Sequence, residues 1–446
     1  MSGDLDEAEK AIKEAERLNA SVGQTRFLRG TVAYYRGEYD QAVEQLEQSV
    51  TLQPDSVAAQ GLLAAAYGWA GHWDKLQQVT EKLQKMRPKT TEDYLFKGLA
   101  QAFQSPEQGL RTLNEAIRRQ PTSIARMIRA GVLEDFAMDT SDLAPLETAI
   151  DDMRTCKQLM PDNPAVLGYS VFTHLIEANL CSALGHPERR ALALRQAGMD
   201  AEALQPFSML PVAANTRFWY LREAGDDDRM FQEAERIWQQ RQSDAYFSAY
   251  NYALALLEHG RATNAASVLE NRGAKRNQFE NVTRAYCLID LPDGRQQARD
   301  AYAEFNARYP RGDAVIWSKT ILLVHGLKDE AMKASRADLQ VPDRMPPLNH
   351  EFWLAALRFL GHGDDASEAD LIKRAGKSKR NECMAQFYIG CLRLAEQKRE
   401  LARDHFAKAV ASGCFYFSEY DWSRVFLKRT EADPTWPRWI APKPEP

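Results

Sequence analysis

Between Asp40 and Leu52, small or apolar residues fall at Ala42, Val43, Leu46, Ser49 and Val50. Steps of three and four put them on one face of a helix. The preceding TRFLRGTVAYYR carries a second helical pattern, and GEYD separates the two. Gly37 can take the left-handed conformation that ends a helix, Asp40 can cap the next, and Pro54 stops it. The stretch is therefore predicted as helix, tight turn, helix, proline. The shape returns at once, since Gly37 and Gly71, Tyr39 and Trp73, and Pro54 and Pro88 are each 34 residues apart. Neither helix could bury its apolar face alone, so such units must stack.

Four positions define the unit: a small residue, a bulky one four later, a small one three later and proline five later. Ala42, Leu46, Ser49 and Pro54 fit in full, as do Gly109, Leu113, Ala116 and Pro121, and Ala149, Met153, Cys156 and Pro161. Ala298, Tyr302, Phe305 and Pro310 keep the spacing, and so do Ala402, Phe406 and Ala409, with Gly390 at the glycine position of the first helix. Turn glycines recur at Gly225, Gly260 and Gly326, and LGYSVFTHLIEANLCSALG reads as a longer first helix. No sustained alternation of a strand occurs. A 34-residue helix–turn–helix with these marks resembles the tetratricopeptide repeat. The resemblance implies an all-α, right-handed α–α superhelix of about a dozen helix pairs.

The expected organisation has five parts. Residues 1–20 are a half repeat in which Ala8, Ile12 and Ala15 mark a second helix only; 21–164 hold well-matched repeats and 165–350 degenerate pairs. Residues 351–430 hold the C-terminal repeats and a capping helix, with Tyr420, Val425 and Leu427 facing inward over the last repeat, and 431–446 are a proline-rich tail. ADLQVPDRMPPLNH, residues 337–350, reads as a loop. Residues 387–429 also resemble the C-terminal end of bacterial serine/threonine protein kinases that carry repeats behind the catalytic domain. An opening on half a repeat suits a sensory or substrate-docking region separated from such a kinase.

Composition narrows the classes. At 446 residues the chain is too long for one compact core, and 44% hydrophobic with 27% charged residues belongs to a folded protein. A formal net charge of −5 argues against a dedicated nucleic-acid binder. The acidic start lacks the basic and apolar regions of a secretory signal, and no run reaches the ~18 apolar residues of a membrane span. Six scattered cysteines without a C-x-x-C pair suit a reducing, cytoplasmic setting.

Candidate chemistry is thin. Phosphate loops, dinucleotide fingerprints, nucleophile elbows, kinase loops and zinc spacings are missing from the sequence. The eight histidines are scattered, four beside inter-helix glycines. GDDDR at 225–229 and GHGDDASEAD at 361–370 lack the pattern of a calcium loop and read as acidic helix starts. The basic run with Lys373, Arg374, Lys377, Lys379 and Arg380 reads as a solvated helix end. No catalytic residue, cofactor or metal is expected, and the chain is expected not to be an enzyme.

One constellation remains. Tyr35, Trp69 and Phe103 stand in register at intervals of 34, and Phe136 holds the equivalent place one repeat later. Phe27, Tyr34 and Gln24 fall on the same side of the first full repeat. In the family this sequence resembles, first helices line a concave groove that holds a partner peptide or helix. Aromatics give large contact area at little rotamer cost, which suits anchors in such a groove. The competing expectation is that these rings pack against the next repeat as core. Thr31 and Ala65 replace the asparagines of the family's chaperone-tail pocket, so that mode is not expected.

Overall fold

A computed structural model describes residues 5–18, 21–36, 38–208, 210–241, 246–273, 276–291, 293–341, 345 and 349–440. Gly37, most of the proline-rich part of 337–350 and the end of the tail lie outside them. Among the described residues there are 24 α-helices and no strand: Leu5–Arg17, then eleven successive pairs, then Ser418–Ala432. None is long and apolar enough to cross a membrane. The chain divides into two compact units, Met1–Ala137 with Asp142–Thr173, and Met138–Ser141 with His174–Pro446.

The repeat marks are the buried positions. Ala42, Leu46 and Leu113, with Ala116, Ala149, Cys156, Ala402, Phe406 and Ala409, have no exposed surface, and Ser49 is equally buried, its hydroxyl donating to the Gly23 carbonyl at 2.8 Å. The bulky residue of the second helix lies against a glycine of the first. A Cβ added to Gly30 would stand 2.5 Å from Leu46, and one on Gly390 would stand 2.6 Å from Phe406. That contact lets the paired helices approach closely. Gly390→Ala is accordingly expected to destabilise by about 1–3 kcal/mol through overpacking, read as a lower urea midpoint. An unchanged midpoint would mean that Phe406 moves aside freely.

Turn glycines do what the pattern required. Gly71, Gly225, Gly260 and Gly326 all have φ near +75°, between +71° and +79°, where a side chain would be strained. One helix start differs from expectation. Tyr39 opens the helix Tyr39–Leu52, so Asp40 lies in its first turn, and Glu38 holds the cap position without a side-chain cap bond. Asp40 therefore acts on the helix dipole instead of capping it.

The C-terminal helix departs further. Ser418–Ala432 was expected to cover the end of the last repeat with one face. Instead Glu419, Tyr420, Asp421, Trp422, Ser423, Val425, Phe426 and Thr430 are all buried, whereas Leu427 is only half-buried. The helix runs along the inside of the second unit and touches the first helices of successive pairs. Tyr420 donates to Glu223 at 3.0 Å on Pro211–Glu223, and the Tyr250 hydroxyl on Tyr246–Glu258 donates to Asp421 at 3.0 Å. The Trp422 indole donates to Thr283 at 2.9 Å on Gln278–Cys287, and Trp317 on Ala314–Val324 donates to Glu419 at 2.7 Å. Tyr388 on Lys379–Ala395 donates to the same carboxylate at 2.9 Å. The inner face of this unit is filled by its own chain.

The tail follows suit as far as it is described. Trp436 and Ile440 are buried, the Trp439 indole donates to the Val324 carbonyl at 3.1 Å, and the Arg399 guanidinium donates to the carbonyls of Thr435, Trp436 and Ile440. Irregular backbone was expected here; its docking was not.

Candidate functional site

In the first unit the inner face carries no such helix among the described residues. Its N-terminal part holds a core built from the helices Val22–Arg36 to Thr91–Ala102, with Leu46, Leu62, Leu63, Leu76 and Phe96 among its buried residues. Small residues draw the first helices together: a Cβ on Gly61 would meet the Phe96 backbone at 2.5 Å. Of the sequence-selected aromatics, Tyr34, Tyr35, Trp69 and Phe103 lie at the ends of these helices.

Four of the six come together. Tyr34 meets Tyr35 edge-on at 5.5 Å between ring centres, and its hydroxyl accepts the Trp69 indole N–H at 3.1 Å. Trp69 meets Phe103 edge-on at 6.1 Å, and Phe103 in turn lies over Gly68, where a Cβ would be 2.7 Å from its ring. Trp69 remains 53% exposed although three neighbours hold it. Phe27, half-buried, packs edge-on against Phe96 of the third pair at 5.8 Å and lies against the same core as Tyr34 and Phe103. Phe136 is half-buried on Ser123–Thr140. Gln24 is exposed, Thr31 donates its hydroxyl to the Phe27 carbonyl at 2.8 Å, and Ala65 is buried.

Two residues of the cluster escaped the register comparison. Tyr39 stacks on Trp69 at 5.7 Å with 14° between planes, and meets Tyr34 at 5.8 Å. Its repeat equivalent, Trp73, signals an aromatic at that position, but only the fold shows it turned toward Trp69. Tyr169, 36% exposed, comes from the long helix Pro164–Ala183 and lies near enough that its ionisation and that of Tyr34, Tyr35 and Tyr39 oppose one another. It stands in the first half of that 20-residue helix, whereas the register comparison followed the helix ends. Burial raises all four phenols, so they stay protonated hydrogen-bonding groups at physiological pH. Glu134 lies behind them, buried, accepting from the Thr173 hydroxyl; burial pushes its carboxyl up to about 8, so it is a neutral acid there.

The face offers rigid rings and neutral hydroxyls. It presents no nucleophile–base pair, and among the described residues no cluster of three potential metal ligands exists. The six cysteines are buried. The basic run is partly committed, with Arg374 paired to Asp370 and Glu351 and Lys379 to Glu382. The acidic runs have local work: Asp364 accepts from the Ser367 amide at 2.7 Å as a cap, and Asp227 accepts from Arg424 at 3.0 Å and Lys428 at 2.7 Å of the C-terminal helix.

No family model matches the chain, and no curated protein matches it. Among solved structures it is similar to human IFIT1, in its dimer with m7Gppp-AAAA, at 14% identity over 92% of this chain and 94% of that one, with a TM-score of 0.37. It is also similar to yeast Tom70 at 10% identity over 94% and 98%, with a TM-score of 0.38. Likeness at this level carries no argument about partners.

Proposed function

We propose that this chain is a non-catalytic recognition protein of the tetratricopeptide type. It would bind a peptide or helix of a partner protein on the aromatic face of the first unit, in a cytoplasmic setting. The observation that carries the reading is Trp69: half-exposed, yet held by Tyr34, Tyr39 and Phe103. A ring needed only for the core would be covered, and a ring held rigid in advance loses little entropy on binding. The second unit supports the assignment by contrast, because its own C-terminal helix already fills the inner face.

Trp69→Ala tests this. The variant is expected to weaken capture of the partner by about 30-fold or more, the effect of a hot-spot residue, with a melting curve close to wild type. Retained capture, or loss of fold at Trp69→Ala, would assign the ring to structure. The likeness of residues 387–429 to kinase-associated repeats stays a proposal of its own, decided by whether an in-frame kinase lies upstream in the genome.

A further inference from the structure

We propose that Glu419 is a proton-linked latch: its carboxyl seats the C-terminal helix inside the second unit as a neutral acid, and its ionisation loosens that helix. The side chain is 1% exposed, at the first turn of Ser418–Ala432, and receives two neutral donors, the Trp317 indole at 2.7 Å and the Tyr388 hydroxyl at 2.9 Å. Among the described residues no cation bonds to it. The groups that face it from the packed elements are Asp313 at the start of Ala314–Val324, Tyr286 of Gln278–Cys287, and Cys383, Tyr388 and Cys391 of Lys379–Ala395. All are acids or weak acids. Lys319 of Ala314–Val324 is turned to Ser318 and Asp338, and Arg222 is taken by Asp421.

A buried carboxylate with two neutral donors and no counter-charge is costly, whereas the protonated acid is not. Burial accordingly lifts Glu419 to about 7 and Asp313 to about 6. The sign follows. The seated helix holds a proton that a released helix, with an ordinary carboxyl, gives up. Seating is firmest at low pH, weakens as pH rises from the ordinary carboxyl range to about 7, and levels off above it. Between pH 6 and 8 the equilibrium for opening should grow about tenfold. Above pH 6 most of that growth belongs to Glu419, since Asp313 is already about half ionised there.

Cys391 and Cys383 are buried under this helix and report its opening, while Cys156 lies in the first unit. The test labels the full-length protein with iodoacetamide at pH 6 to 8 and follows each thiol by mass spectrometry. Dividing the wild-type rate at Cys391 by that of Glu419→Gln at each pH cancels the ionisation of the thiol itself. The ratio is expected to rise about tenfold from pH 6 to 8. A flat ratio overturns the proposal. Should Glu419→Gln fail to fold, the wild-type rate at Cys391 relative to Cys156 serves instead: a rise supports the latch, and a flat profile overturns it. Tyr388→Phe, which removes a donor to the charged form, should move the midpoint to higher pH, and an unmoved midpoint also contradicts the latch.

Discussion

Trp422→Ala is expected to destabilise the second unit by about 3–5 kcal/mol, the usual cost of emptying a large aromatic site in a core. Trp422 is 1% exposed and meets residues of three other helices. Its ring meets Tyr286 edge-on at 5.2 Å, Trp317 edge-on at 5.6 Å and Phe387 at 5.7 Å, and its indole N–H is the donor to Thr283. Alanine would leave a cavity and a buried Thr283 hydroxyl without this donor. Urea denaturation followed by circular dichroism measures the loss. A drop below about 1 kcal/mol would mean that the helix is a surface cap after all, since exposed positions cost that little.

The second large effect is electrostatic. Arg222→Met should cost about 3–5 kcal/mol, because it strips a buried carboxylate of its counter-charge. Arg222 is 1% exposed, pairs with Asp421, donates to the Phe415 carbonyl at 3.3 Å and lies over the Phe218 and Tyr420 rings. Asp421 would keep the Tyr250 hydroxyl as a donor at 3.0 Å but no counter-charge bonded to it. Burial already holds this carboxyl above its ordinary value against the pull of Arg222. Without the guanidinium it should rise further, so the variant should recover stability as pH falls from 7.5 to 5. The double variant Arg222→Met/Asp421→Leu should regain most of the loss, since an apolar pair replaces an ion pair at little cost. A double variant as weak as the single one would place the cost in packing instead of charge.

Local rules made much of the fold legible. Ala42, Leu46 and Ser49 are recognisable because each repeat solves the same packing problem with its immediate neighbour, and Gly71 because its turn needs a positive φ. What stayed hidden depends on contacts without a period. Asp227 looks like any acid at a helix start, yet it holds Arg424 and Lys428 from roughly two hundred positions away. The apolar side of Ser418–Ala432 suits a cap as well as it suits an inner filling, and only Glu419, Tyr420, Asp421 and the Trp422 indole, which bond to other helices, distinguish the two. At the candidate site, register pointed to Tyr35, Trp69, Phe103 and Phe136 and the same-side count to Tyr34 and Phe27. The structure brings Tyr34, Tyr35, Trp69 and Phe103 together, sets Phe27 against Phe96 two repeats on, and adds Tyr39, which neither comparison marked.

A C-terminal helix that occupies the inside of the second unit underlies the proposed assignment of recognition to the first. Hydrogen exchange on the full-length protein measures this directly. Amides of Ser418–Ala432 should exchange as slowly as those of Lys379–Ala395, against which the helix packs through Phe387 and Tyr388. Exchange of that helix at the fast rate of a fraying chain end, with Lys379–Ala395 still protected, would contradict the account.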